Sequence, residues 1–395
     1  MARTSVDEHA AHIARLLAFT PTVDTIGLDA GLGRVTAGPI VSPVDLPLFR
    51  NSQMDGFAVR AADVAHPPTA LPIVGEIAAR PCDPGPLAAG AAVRIMTGAV
   101  VPEGADAVVP VEDTTSDDAV VTVLRARAPG EYVRERGSDV RAGEELLPAG
   151  LLLGSRHLAA LAAAGITTVD VRARVRVAII TTGSELIEPG GTPVLGQIFD
   201  SNGTALDAAV RAAGALVAHR VHVADDHGAM LAALETSSEG ADLIVTSGGI
   251  SMGDHEVVRE TLEPLGATVT TIAMQPGGPQ ATAVFAGVPV VCFPGNPVST
   301  QVSFEVFLAP LLRRAAGLPP ARRERRELSH AVTSVAGKRQ FLRGRTVPGN
   351  ERLVEVVSGA SSHLVAGLAA SELLIDIGEA VSSLHAGAEV ETWML

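Results

Sequence analysis

At 395 residues, with 47% hydrophobic and 19% charged side chains, the chain is too long for one ordinary core and too apolar for wholesale disorder, so several folded domains are expected. Its 44 acids against 30 bases leave a formal charge of −14, and only 3% of residues are aromatic; nucleic-acid and membrane partners are disfavoured on both counts. An anionic ligand would have to be held by local devices such as backbone N–H groups and helix N-termini.

Residues 5–19, SVDEHAAHIARLLAF, place Val6, Ala10, Ile13, Leu16 and Leu17 on one helical face, with Ser5 as N-cap. The N-terminal segment has acids and no apolar signal core, and no run of 18 apolar residues follows, so a cytoplasmic protein is expected. From about 45 to 140, short runs such as LPIVGEIAA, AAVRIMTGA and DAVVPVED alternate with turns and read as a small β domain. Within it, PLFRNSQMDGFAVR (47–60) crowds polar residues between apolar stretches, and Asp55 before Gly56 has no place in a plain strand. Residues 141–172 then supply a turn, a helix capped near Ser155 and closed at Gly165, and a strand. If this stretch packs back on the first helix, the β domain is an insertion.

From 175 the pattern changes. VRVAIITTGSEL, ADLIVTSGGISMGD and VPVVCFPGNPVST each open with a continuous β-branched run, as for strands buried on both faces, and end in a glycine-bearing loop. Helical stretches separate them, giving a doubly wound, mostly parallel sheet whose strand ends form a ligand rim. TTGSEL offers Gly183 for close backbone approach and Glu185 for a ligand hydroxyl or a hydrated cation, though alone it fits a simple strand-to-loop turn with a solvated Glu185 better. TSGGISMGDHE pairs Gly248 and Gly249 and adds Ser251 and Gly253, a sequence suited to an anion-binding nest or to a tight turn. In FPGNPVST, Pro297 suits a first helical turn, with Ser299 near its N-terminus. The acids Asp55, Glu185, Asp225, Asp226, Asp254 and Glu256 could include a Mg²⁺ site or form a solvated rim. Cys82 and Cys292, and the histidines at 219, 222, 227 and 255, match no metal spacing. GLPPARRERRE (317–327) reads as a linker, and alternating segments after it form a second all-β domain.

LPLFRNSQMDGFAVR, RIMTGAVVPEGADAVVPVED, AIITTGSELIEPG, GQIFDSNG, DLIVTSGGISMGDHE, VCFPGNPVST and GKRQFLRGR occur in order across nearly the whole chain. Together they resemble the molybdopterin molybdenumtransferase family, MoeA in bacteria and the E domain of gephyrin in animals. The resemblance implies an α/β multidomain protein: a discontinuous helical segment (1–45 with 141–172), an inserted β domain (46–140), a MogA-like sheet domain that binds molybdopterin (173–318) and a C-terminal β barrel (319–395). It further implies a homodimer whose active site is shared, with Asp55 and Thr97 reaching the neighbour's sheet domain. The implied reaction inserts molybdenum into adenylylated molybdopterin and releases AMP. Mg²⁺ would assist, molybdate would be the second substrate, and a molybdopterin adenylyltransferase would act upstream.

The resemblance assigns Asp55, Thr97, Glu185, Asp226 and Glu256 to catalysis, Glu185 and Asp226 being the metal ligands. It assigns Gly183, Ser184, Gly248, Gly249, Ser251, Gly253, Pro294, Gly295, Asn296 and Ser299 to the molybdopterin site, and Ser299, Arg339 and Arg343 to molybdate. The chain departs from the family pattern at Ser184 and Glu256, and at QPGGP, where Gln275 and Gly278 replace two lysines. Fewer cations should weaken oxyanion binding. Two further readings are a catalytically weak paralogue that holds or carries molybdopterin, and an unrelated sugar-nucleotide enzyme on a similar sheet.

Overall fold

The computed structural model describes residues 3–250 and 256–395. The chain divides into two compact units, one joining the segment that ends at Asp24 to Arg172–Leu395, the other spanning Thr25–Val171.

The larger unit is built on a six-stranded sheet. In spatial order its strands are Leu216–Val223, Arg176–Thr182, Leu243–Ser247, Val288–Phe293, Pro279–Phe285 and Thr268–Thr271. The first four run parallel, and the last two are antiparallel additions at one edge. Side chains alternate across the pleat: Val177, Ile179, Leu243, Val245, Val291 and Phe293 feed one core, while Ala178, Ile180, Ile244, Val290 and Cys292 feed the other. This explains the continuous apolar runs in the sequence, because each strand has a core on both faces. Helix Ser201–Ala212 and the stretch Pro297–Ala315 cover the first face; His227–Ser238 and Val257–Leu262 cover the second.

Helix Val6–Leu16 begins at Ser5 with the expected cap: Glu8 N–H donates to Ser5 Oγ (3.2 Å) and Ser5 N–H to Glu8 Oε2 (3.0 Å). Its Val6 and Ile13, with Leu17, are buried in the first core beside Phe304, Phe307, Phe341 and Trp393. The helix therefore belongs physically to the sheet and barrel. In the Pro297–Ala315 stretch, residues Phe304–Leu308 widen into a π-helical turn. Pro310 lies just beyond; it has no N–H for the Val306 carbonyl and its ring crowds that oxygen, which favours the wider turn.

Five strands close the C-terminal barrel: Arg339–Val347, Asn350–Val356, Arg323–Leu328, Glu389–Met394 and Leu373–Ile377, the last pairing back onto the first. Leu328, Leu342, Val354, Leu373, Ile375 and Val390 fill its interior. Met274–Gln275 adds to the Arg339–Val347 strand in parallel, tying the loop before Pro279 to the barrel.

In the smaller unit, six strands pair in the order Ala107–Pro110, Gly56–Val59, Ala92–Ile95, Thr69–Ile77, Val120–Val123 and Thr114–Ser116, with apolar clusters on both faces. Residues on either side of this sheet in sequence share a separate core: Leu147, Leu153, Leu161, Val169 and Val171 from after it, with Ile26, Leu28 and Ile40 from before it packed against them. The helix there is Ser155–Ala163; Gly154, not Ser155, is its N-cap, and the His157 ring accepts the Gly154 N–H through Nδ1 at 2.9 Å. Among the described residues no helix is long and apolar enough to cross a membrane.

Candidate functional site

The parallel strands of the larger unit end on one rim, and three of the loops expected from the sequence meet there. After Thr182 the chain turns through Gly183 at φ +151°. Glu185 folds back over this residue, so that a Cβ at 183 would lie 2.6 Å from Glu185 Oε2. After Ser247, Gly248 adopts φ +103°, and a Cβ on it would lie 2.6 Å from the Thr182 carbonyl oxygen. The Gly248 N–H donates to Phe293 O (3.2 Å), whereas the Gly249 N–H has no acceptor among the described residues. These turns, with Pro294, Gly295 and Asn296 from the third loop, border a cleft of about 440 Å³. Glu185, Asp225 and Glu256 line it as well.

Two residues that the sequence reading did not single out hold the cleft together. Asn202 Nδ2 donates to Ser247 Oγ (2.9 Å) and to the Gly295 carbonyl (2.7 Å), fastening the second loop to the third. Asp200, 2% exposed, accepts from Thr181 Oγ1 (2.9 Å) and Gly203 N–H (2.9 Å), and so fixes the start of helix Ser201–Ala212 against the first strand. The only signal for either was the N-cap pattern DSNG (200–203), and that pattern predicts a helix start without saying what it faces.

Ser184 and Asp225 are bound reciprocally: Ser184 N–H donates to Asp225 Oδ2 (2.9 Å), and Asp225 N–H to Ser184 Oγ (3.1 Å). The serine that departs from the family pattern thus joins two strand-end loops. Asp226, expected in the site, caps helix His227–Ser238 by accepting the Ala229 N–H at 2.8 Å; its neighbour Asp225 faces the cleft in its place. Ser251, Gly253, Asp254 and His255 lie outside the described residues.

The residues expected to meet molybdate divide. Arg339 donates to both oxygens of Asp376 (2.8 and 2.6 Å) and to Asp7 (2.9 Å), and these carboxylates, Asp376 foremost, raise its pKa. It is a structural cation joining the first helix to the barrel. Arg343 is 1% exposed and has no carboxylate partner among the described residues. Its Nη2 donates to the carbonyls of Gly359 and Ser361, its Nε and Nη1 find no acceptor, and burial lowers its pKa. The loop it holds accepts the Val298 N–H on the Ser362 carbonyl (3.1 Å), next to Ser299, which is 4% exposed at the start of its helix. A buried guanidinium with two donors unspent is costly unless something anionic or hydrated completes it.

The QPGGP turn is held from behind. Gln340 Nε2 donates to Gln275 Oε1 (3.0 Å), and buried Gln280 donates to Gly277 O (3.1 Å) and Ser303 Oγ (3.0 Å). With its amide so oriented, Gln280 Oε1 accepts from His9 Nε2 at 3.1 Å. Burial pushes the His9 pKa down to about 4, so the ring is neutral in the native state. An unfolded histidine titrates near 6.5. Between about 6.5 and 4 the unfolded chain therefore binds more protons, and stability falls as pH falls through that window, by on the order of 3 kcal/mol. Urea unfolding at pH 7.5, 5.5 and 4.5 should show this loss in the wild type and less of it in His9→Gln. Equal losses in both would remove His9 from the account.

In the smaller unit, Asp55 Oδ1 accepts the Thr97 N–H (2.6 Å) and the Thr97 hydroxyl (2.7 Å). The pairing of Gly56 with Ile95 puts Asp55 just beyond the end of the ladder, with Thr97 two residues past Ile95 on the facing strand. Both side chains are exposed, and the Thr97 N–H foremost holds the Asp55 pKa below the usual carboxylate range.

Comparison with known proteins identifies similar chains. The family model "MoeA N-terminal region (domain I and II)" matches residues 4–165, "Probable molybdopterin binding domain" matches 178–314, and "MoeA C-terminal region (domain IV)" matches 325–395. Molybdopterin molybdenumtransferase 2 of Mycobacterium tuberculosis is 41% identical over 404 residues, covering 99% of each chain. Molybdopterin molybdenumtransferase 1 of the same organism is 34% identical over 422 residues, again covering 99% of each. A crystal structure of the molybdopterin biosynthesis MoeA protein from Pyrococcus horikosii superposes with a TM-score of 0.83 at 32% identity, covering 99% of both chains.

Proposed function

The chain belongs to the molybdopterin molybdenumtransferase family, and from that premise we propose that it inserts molybdenum into adenylylated molybdopterin with release of AMP, the final step of molybdenum cofactor biosynthesis. The observation that carries this reading is the cleft itself. Three strand-end loops are packed too closely for any Cβ at Gly248, and the polar lining among the described residues is backbone, carboxylates and neutral Thr, Ser and Asn side chains, with no lysine or arginine. Such a site suits a phosphorylated ligand held by N–H groups and accompanied by its own cation.

The Gly249 N–H binds phosphate, while Asn202 keeps the loops in register. The Glu185 carboxylate has no hydrogen-bond partner among the described residues and lines the cleft with Asp225. No cluster of three or more metal-type side chains occurs among the described residues. This donor set fits Mg²⁺, which takes one or two protein carboxylates and completes its shell with phosphate and water. Glu185 and Asp225 would hold the ion, Asp226 being engaged as a cap, and the ion would neutralise charge developing at the phosphoryl group. Arg343, linked through the 359–362 loop to the helix that carries Ser299, supplies the cationic side of the molybdate pocket.

The protein acts as a homodimer in which Asp55 and Thr97 of one copy complete the site of the other, within the cytoplasm and downstream of a molybdopterin adenylyltransferase. An AMP-release assay on adenylylated molybdopterin and molybdate tests the reading. Loss of the two family lysines favours one competing reading, a paralogue that binds molybdopterin with little turnover, and this predicts saturable binding without AMP.

The lysine positions can be tested directly. A Cβ at Gly278 would lie 3.5 Å from the nearest atom, Ile272 O, so a side chain fits there, and Gln275 is partly exposed. The double variant Gln275→Lys, Gly278→Lys should bind molybdate about tenfold or more tightly, since charge-assisted hydrogen bonds are roughly twice as strong as neutral ones. Calorimetry with molybdate showing unchanged or weaker binding would refute the account of the missing cations.

A further inference from the structure

Aromatic side chains are few here, and the cores take most of the phenylalanines: Phe57, Phe293, Phe304, Phe307 and Phe341 are at most 2% exposed. Phe199 is different. It is 45% exposed, its neighbour Ile198 is 56% exposed, and both line the cleft. A single exposed apolar residue needs no explanation. This ring, however, is rigidly presented at the one place where the fold gathers its ligand-facing loops.

The backbone on both sides of the ring is fastened. Leu186–Ile187 pairs in parallel with Ile198–Phe199; Ile198 N–H donates to Glu185 O (2.9 Å), and Asp200 N–H to Ile187 O (2.8 Å). The next side chain, Asp200, is buried and doubly hydrogen-bonded, as described above. The result is a pre-ordered apolar shelf facing carboxylates and bare glycine backbone. A flat ring with polar edges matches that environment, because its faces can lie on the phenyl ring while its nitrogens meet the polar wall or solvent.

We propose that Phe199, flanked by Ile198, is a binding residue that stacks a fused-ring nitrogen heterocycle of the substrate. This rests on the function proposed above, whose substrate carries two such rings, a pterin and an adenine; it adds which residue receives one of them. Stacking on an aromatic side chain is sequence-tolerant chemistry that depends on a π-face and not on particular hydrogen bonds.

The test uses the full-length protein as wild type, Phe199→Ala, Phe199→Leu and Phe199→Tyr, with 6-hydroxymethylpterin followed by its own fluorescence and AMP followed by calorimetry. The ring is exposed, so the variants should unfold at the wild-type urea midpoint. Phe199→Ala should weaken one of the two ligands about tenfold and leave the other unchanged, and the affected ligand identifies the ring. Phe199→Tyr should recover the affinity, whereas Phe199→Leu, which keeps apolar volume without a π-face, should not. The inference is overturned if Phe199→Ala binds both ligands as tightly as wild type, or if Phe199→Leu equals wild type. Should the wild type release AMP from adenylylated molybdopterin while Phe199→Ala loses no affinity, the stacking fails and the proposed function stands. Should the wild type bind neither ring and release no AMP, both fail.

Discussion

Asp55→Ala should lower AMP release about 100-fold, the loss typical of removing a preorganised charged group from a reacting site, without lowering stability. The side chain is exposed and its hydrogen-bond partner is Thr97, so truncation opens no cavity and strands no buried group. Yet the carboxylate is fixed by two short hydrogen bonds and kept ionised by them. An exposed acid so firmly oriented contributes little to a core and much to a ligand placed opposite. If it serves the other copy of a dimer, Asp55→Ala and Glu185→Ala should complement each other. Random exchange makes half of the dimers mixed, each with one intact site of its two, so a mixture of the inactive proteins should recover roughly a quarter of wild-type activity by this symmetry. No recovery in a mixture shown to contain mixed dimers would place Asp55 in its own subunit's site or outside the mechanism.

The second large effect concerns Gly248. Alanine there meets the Thr182 carbonyl oxygen and Thr182 Oγ1, each at 2.6 Å, and must adopt φ +103°. Neither obstacle can move cheaply, since Thr182 ends a central strand. The 248 turn has to shift instead, carrying the Gly249 N–H away from its place in the cleft. A stability loss of about 1–3 kcal/mol and a fall in AMP release of about 100-fold or more are expected. Gly287→Ala is the control: Gly287 also has positive φ (+84°), but its Cβ would meet nothing within 4 Å, and it sits in a hairpin turn. It should share the backbone strain and keep the activity. Equal activity losses in the two variants would mean that strain anywhere in the sheet, and not the geometry of the cleft, governs turnover.

How far the sequence could be read follows from how local each cause is. The three buried strands were legible because residues with a core on both faces must be apolar without interruption, as Val177 to Ile180 and Leu243 to Val245 are. Their terminal glycines were legible because loops in close backbone contact tolerate no side chain. The N-cap at Ser5 was legible because its cause is local: the hydroxyl and the Glu8 N–H it accepts lie three residues apart.

Long-range pairings were hidden. Arg339 lies 332 residues from Asp7, and nothing in RQFLRGR announces that its charge is already engaged. Asn202 meets Gly295 across 93 residues, so a polar residue at a helix start gave no hint that it clamps two loops. Asp225 and Asp226 are adjacent and chemically alike; which one caps the helix and which faces the cleft depends on the backbone turn between them. Phe199 stands unmarked within GQIFDSNG, because periodicity cannot tell an aromatic that packs inward from one left on a cleft wall.

The measurement that tests the central claim most directly is release of AMP from adenylylated molybdopterin by the purified wild-type protein, with and without molybdate, followed alongside formation of molybdenum cofactor. The account predicts AMP and cofactor formed together in a molybdate-dependent manner, with both reduced by Gly248→Ala and by Asp55→Ala. Saturable binding of adenylylated molybdopterin with no AMP above background would contradict it and identify the protein as a carrier of that ligand.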